Sequence, residues 1–157
     1  MRAAVLTVSD GVVAGTREDL SGDLLSERLA GAGFDVAARR TVPDERGDIE
    51  EALRELAGTA TLVLTTGGTG FAPRDVTPEA TARVVERPTP GLDEHMRAVS
   101  IAASPHGMLS RGSSGIAGSA LIVNFPGSPR ACAELFDAVA PALDHGLRLL
   151  LDLPTAH

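Results

Sequence analysis

Lysine is missing from this chain: all 14 basic residues are arginine. That excludes a Walker-type phosphate-binding lysine, a Schiff base and a lysyl-nucleotide intermediate. Trp and Tyr are missing as well, and only four Phe are present, so aromatic platforms for single-stranded nucleic acid are not expected. Cys132 is the single cysteine, which excludes an internal disulfide and a thiolate metal cluster. It is expected to be a small apolar residue within a helix. Positive charge is short overall, the net charge being −7, and this argues against a nucleic-acid partner. No apolar run reaches the length of a membrane span and no charged-then-apolar leader pattern opens the sequence, so no membrane association and a cytoplasmic location are expected.

What is present is an ordinary globular balance, 43% hydrophobic and 22% charged in 157 residues, expected to form one domain over residues 1–157 with a real core. The most informative stretch is residues 62–80, LVLTTGGTGFAPRDVTPEA. Leu62, Val63, Leu64 and Thr65 read as a buried strand. Thr66, Gly67, Gly68, Thr69 and Gly70 follow as a glycine loop, whose backbone amides could cradle a phosphate because no Cβ blocks the approach. A tight turn is the simpler use of such a loop. Asp75 adds a hard oxygen ligand for Mg²⁺ where phosphates would lie, its simpler use being to bond loop amides. Thr77 is expected to cap the next helix, with Pro78 at its first position.

The rest of the chain alternates. Residues 3–8 and 120–125 read as buried strands and residues 34–42 as a more polar strand near an edge. Helices are expected over residues 20–32, 46–57, 77–86 and 92–103, the first with Leu20, Leu24, Leu25 and Leu29 on one side. A last helix begins at Pro129 and is expected to end or kink near Ala140, ahead of Pro141. Residues 12–19 read as a loop and residues 105–118 as turn-rich. Strand-helix alternation of this kind predicts a three-layer α/β/α sandwich with a mostly parallel central sheet.

In such a sheet the strand ends gather on one edge. Ser9 and Asp10, Thr66 to Asp75, Asn124 to Ser128, and Asp44 all fall at strand ends, so one pocket could hold them. Two carboxylates, a glycine loop and Ser/Arg groups suggest Mg²⁺-assisted handling of phosphates. Ser21 and Gly22, near a helix start, could offer a hydroxyl and amides to an anion or simply cap that helix. His95 reads as an exposed helix residue; His106, His145 and His157 lack metal-ligand spacing. Arg39 and Arg40 read as a solvated surface pair.

The blocks TVSDGVVAGTREDLSGDLL, TVPDE, TTGGTGFAPRDVTPEAT, PGLDEHMR and LSRGSSGIAGSALIVNFPGSP resemble the MogA/MoaB family of molybdenum cofactor biosynthesis proteins, over nearly the whole chain. The resemblance implies a molybdopterin-binding domain and a Mg²⁺-dependent adenylyl transfer from ATP to the terminal phosphate of molybdopterin. By motif, Asp44 and Asp75 match the family's acidic site residues, implied catalytic and metal-supporting. Gly67, Gly68, Thr69 and Gly70 match its phosphate loop. Ser9, Asp10, Ser21, Gly22, Thr66, Ser110, Arg111, Pro126, Gly127 and Ser128 match other segments lining the pocket. The resemblance also implies a homotrimer, a hexamer in some MoaB-like members, working with other proteins of the cofactor pathway. The block PGLDEHMR departs from the family's usual PGFGE-x-MR at Leu92 and Asp93. The alternative function is a non-catalytic MoaB-type protein that binds molybdopterin or serves as a scaffold. A dinucleotide-binding domain is disfavoured, since no G-x-G-x-x-G follows the first strand.

Overall fold

The computed structural model describes residues 1–155. A six-stranded sheet has the order β2-β1-β3-β6-β5-β4. Its strands are β1 (Arg2–Val8), β2 (Asp35–Val42), β3 (Leu62–Thr66), β4 (Arg87–Pro88), β5 (Ser114–Ala117) and β6 (Ala120–Phe125). The helices are α1 (Asp10–Val13), α2 (Leu20–Gly31), α3 (Arg46–Ala57), α4 (Thr77–Val84), α5 (Pro90–Ala103) and α6 (Pro129–Leu150). A 3-10 turn, Pro105–Leu109, follows α5.

Side chains alternate across a strand, and here they divide the core in two. Ala3, Val5, Leu62, Leu64, Val123 and Phe125 pack with Leu25 and Leu29 of α2, Met96 of α5, and Leu135, Phe136, Val139, Leu143 and Leu147 of α6. On the other face, Ala4, Leu6, Val63 and Ile122 pack with Ile49, Ala52, Leu53 and Leu56 of α3 and Ala80 of α4. The molecule is therefore the expected three-layer α/β/α sandwich. Strands β2, β1, β3 and β6 run parallel; β5 pairs antiparallel with β6, and β4 antiparallel with β5.

Several elements differ from the sequence reading. The loop expected over residues 12–19 begins inside a helical turn, α1, because Ser9 Oγ accepts from Val12 N at 3.2 Å. Thr77 does not cap α4. It is the helix's first residue, fully buried, and its hydroxyl donates to Gly67 O at 2.9 Å. Residues 105–118, read as turns, contain β5, and β4 falls between α4 and α5. Leu20, expected in the buried stripe of α2, is 55% exposed.

Helix α6 continues through Pro141 instead of ending before it. Proline in a helix interior costs about 3 kcal/mol through a lost hydrogen bond and a ring clash. Against this stand buried side chains on both sides of it, Leu135, Phe136 and Val139 before and Leu143 and Leu147 after, each contributing about 1.5–3 kcal/mol. Ending the helix at Ala140 would forfeit the second group. Pro141 itself sits on the exposed side, where its ring displaces water and not a core neighbour.

A candidate phosphate-binding site at the carboxyl edge of the sheet

Register fixes where the site lies. Val8 pairs with Val42, Thr7 with Thr66, and Thr66 with Phe125, so four parallel strands end side by side. From β1 the chain moves outward to β2 and then crosses to β3 on β1's other side. The gap between β1 and β3 is thus a topological switch point, where open α/β sheets bind ligands. A cavity of about 700 Å³ opens there.

Its floor is the glycine loop after β3. Gly67 and Gly68 have φ of +97° and +64°, values that side chains with a Cβ adopt only at a cost. Space forbids a Cβ as well: at Gly67 it would lie 2.2 Å from Val8 O, and at Gly68 2.4 Å from Thr77 Oγ1. Thr77 clamps the loop, its hydroxyl donating to Gly67 O and its amide to Gly68 O at 3.1 Å. From the other side Arg111 donates through its amide to Thr69 O (2.9 Å), through Nε to Gly70 O (2.7 Å), and through Nη2 to Asp75 O (2.5 Å). Arg111 also pairs with Glu79, and this holds the Glu79 carboxyl below the usual range. Held this way, the amides of Gly68, Thr69 and Gly70 donate to no acceptor among the described residues. Three successive free amides on a cavity floor form an anion cradle.

Two carboxylates stand beside the cradle. Asp75 Oδ2 accepts from Ala72 N at 2.9 Å. Asp44 Oδ2 accepts from Asp10 N at 2.8 Å, and Asp10 Oδ1 accepts in return from Asp44 N at 3.0 Å. Arg74 donates to both Asp10 oxygens, at 2.6 and 3.0 Å, and to Glu45 at 3.0 Å. That guanidinium holds the Asp10 carboxyl below its ordinary range. Asp44 is pushed the other way, chiefly by burial, with the nearby Asp10 and Asp75 charges adding to it. Asp44 Oδ1 and Asp75 Oδ1 accept no hydrogen bond from the described residues.

The cavity is lined by Ser9, Ser21, Asp44, Thr66, Gly67, Gly68, Thr69, Gly70, Asp75, Ser110, Pro126 and Gly127 of the expected residues. Asp10, Gly22, Arg111 and Ser128 stand behind it. Asp10 holds Asp44, and Arg111 holds the loop. Gly22 is buried against Asp19, whose Oδ1 accepts from its amide at 3.0 Å. Ser128 caps α6 through Ala131 N at 3.4 Å. Arg39 and Arg40 are tied down too, Arg39 by Asp19 and Asp23 and Arg40 by Glu55. Asp93, one of the two departures from the family block, lies outside this cavity in a small crevice beside α5, and burial pushes its carboxyl up. His157 lies outside the described residues.

Sequence reasoning missed several lining residues: Thr7, Arg17, Glu18, Asp19, Leu20, His106 and Leu109. Asp19 carried a signal, since an Asp before a helical stripe is a helix cap. It accepts from Gly22 N, from Thr7 Oγ1 at 2.8 Å and from Arg39. His106 was weighed only for metal spacing, and the 3-10 turn that brings it to the cavity is not encoded by periodicity.

No group of three or more His, Cys, Asp or Glu among the described residues could hold a metal alone. Mg²⁺ does not require such a cage, because it keeps waters and uses one or two carboxylates with substrate phosphates. One unengaged oxygen on each of Asp44 and Asp75, next to an anion cradle, fits that mode.

Residues 4–145 match the sequence profile of the probable molybdopterin binding domain. The chain belongs to this family. The molybdopterin adenylyltransferase of Helicobacter pylori strain J99 is 41% identical over 151 residues, covering 94% of this chain and 86% of that protein. The molybdenum cofactor synthesis protein cinnamon of Drosophila melanogaster is 42% identical over 152 residues, covering 94% of this chain, which spans only 25% of that longer protein. Among solved structures, the molybdopterin biosynthesis enzyme MoaB of Thermus thermophilus superposes with a TM-score of 0.91 at 46% identity, covering 98% of both chains. Among the described residues no helix is long and apolar enough to cross a membrane.

Proposed function

We propose that this chain is a molybdopterin adenylyltransferase of molybdenum cofactor biosynthesis, moving the adenylyl group of ATP to the terminal phosphate of molybdopterin. One observation carries the reading: the free amides of Gly68, Thr69 and Gly70 share a cavity with Asp44 and Asp75, in a chain 41% identical to an enzyme of that name. We assign residues 1–157 to a single molybdopterin-binding domain acting in the cytoplasm, as a homotrimer. Its product passes to proteins that act later in the pathway.

In the reaction an oxygen of the molybdopterin phosphate attacks the α-phosphorus of ATP, the bond to the β-phosphate oxygen breaks, and pyrophosphate leaves. Both reactants are anions, so the work is positioning and charge neutralisation. The glycine loop offers amides that need no reorganisation to meet phosphate oxygens. Asp44 and Asp75 would hold Mg²⁺ through their unengaged oxygens, directly or through water; bound there, the ion supplies neutralisation of phosphate charge. Asp10 and Arg74 orient Asp44, and Arg111 and Thr77 fix the loop. No protein nucleophile is needed.

Purified protein given molybdopterin, ATP and Mg²⁺ should form adenylyl-molybdopterin, and Asp75→Asn should lower kcat at least about a hundredfold while the fold is retained. Tight molybdopterin binding with no product would assign the binding-only alternative. An Asp75→Asn protein turning over normally would remove Asp75 from the mechanism.

A further inference from the structure

The cavity walls carry carboxylates at Glu18, Asp19, Asp44 and Asp75, while Arg17 is the only arginine among the described lining residues. The other arginines nearby are spent within the protein: Arg39 on Asp19 and Asp23, Arg74 on Asp10 and Glu45, Arg111 on Glu79 and loop carbonyls. The Arg17 guanidinium makes no hydrogen bond or ion pair with any described residue. In a chain of net charge −7, this cavity, floored by three free amides, has one uncommitted guanidinium among its described lining residues.

Arg17 is also placed, not merely exposed. The amides of Thr16 and Arg17 and the Thr16 hydroxyl all donate to Gly11 O, at 2.9, 3.1 and 3.1 Å. The Arg17 stem lies across Gly11, where a Cβ would come within 2.6 Å of Arg17 Cδ. The missing side chain at Gly11 is therefore the seat for the arginine. This seat lies in α1, directly after β1, and Arg17 lines the same cavity as the glycine loop.

We infer that Arg17, seated on Gly11, is a substrate-binding residue that grips a phosphate group in the cavity it shares with the glycine loop. Its fork can meet two oxygens of one phosphate, a geometry lysine does not reproduce. Which substrate supplies the phosphate rests on the adenylyltransferase reading; the phosphate contact itself does not.

The first measurement is calorimetric titration of the whole protein with inorganic pyrophosphate in metal-free buffer. Wild type should bind, and Arg17→Gln should bind about 10- to 100-fold more weakly, the range for losing a hydrogen bond to a charged group. Arg17→Lys should recover only part of the loss. Gly11→Ala, which displaces the stem without removing the charge, should weaken binding on its own and add little on top of Arg17→Gln, since the two changes act through one contact. Unchanged binding by Arg17→Gln, or no binding by wild type, overturns the inference.

The second measurement is adenylyl transfer, which separates the sources. A KM raised only for ATP places the contact on the nucleotide; one raised only for molybdopterin places it on the pterin's phosphate. Both KM values unchanged overturns the inference. If wild type binds pyrophosphate through Arg17 yet makes no adenylyl product, the adenylyltransferase reading fails and the phosphate contact stands.

Discussion

At the scale of single residues, geometry near the site is set by groups that do not line the cavity. Arg74 is exposed and its ion pairs with Asp10 and Glu45 face solvent, where such pairs contribute little to stability. Yet Asp10 and Asp44 each donate a backbone amide to the other's carboxylate, so Arg74 acts on the cavity through Asp10. Arg74→Ala should leave the urea midpoint nearly unchanged and lower kcat roughly ten- to a hundredfold, the scale for a displaced catalytic group; a lower midpoint with unaltered kcat would show a role in folding alone. Cys132 illustrates burial acting on a titration. It is fully buried, its thiol donates to Pro126 O at 3.0 Å, and burial pushes its pKa up to about 11 from 9.0. Below pH 9 the thiol is neutral in both states. As pH rises past 9 the unfolded thiol releases its proton before the folded one, so stability falls, by roughly 2–3 kcal/mol once both have ionised. Urea midpoints measured from pH 8 to 11 should therefore drop more steeply for wild type than for Cys132→Ala, and parallel profiles would contradict this.

At the scale of elements, Pro141 tests whether burial or backbone chemistry governs α6. If packing of Leu143 and Leu147 holds the helix through the proline, Pro141→Ala should restore a hydrogen bond and raise stability by about 1–3 kcal/mol. Destabilisation would mean that the helix is shaped to need the proline. The same element shows where sequence reading stops. Leu135, Val139, Leu143 and Leu147 recur every four residues across Pro141, but the local rule for proline and the tertiary gain compete, and only packing against α2, α5 and β6 decides between them. Thr77 failed for a related reason: its residue type suits a cap, but its hydroxyl has a better acceptor in the Gly67 carbonyl, ten residues back in the chain. The glycine loop was legible because positive φ and close approach leave glycine as the cheap choice. Arg17 was not, since an arginine in a polar loop carries no pattern until Gly11 is seen beneath it.

At the scale of the whole molecule, β1, β3 and β6 were readable from apolar runs and β2 as a more polar strand near an edge, whereas β4 and β5 were not. Two residues of β4 and the short β5 carry too few side chains to show a period. The same edge leads to the surface by which we expect three chains to meet. Between α5 and α6 lies a groove of about 780 Å³ lined by Leu92, Ile116, Leu121, Val139, Pro141 and Ala142 among others. The phosphate cavity is lined by other residues altogether. A groove this apolar on an exposed surface marks an interaction site, and the trimer we propose would dry it. Each chain brings a net charge of −7, so assembly works against like-charge repulsion, which salt screens. Sedimentation velocity should thus show a trimer that resists dilution better at about 0.5 M salt than at about 0.02 M, the reverse of an assembly held by surface ion pairs. Ala142 is exposed on the groove wall, so Ala142→Glu can add a charge there without touching the core. That variant should sediment as a folded monomer. A wild-type monomer at micromolar concentration, or an Ala142→Glu protein that remains trimeric, would show that the groove faces something other than another copy of this chain.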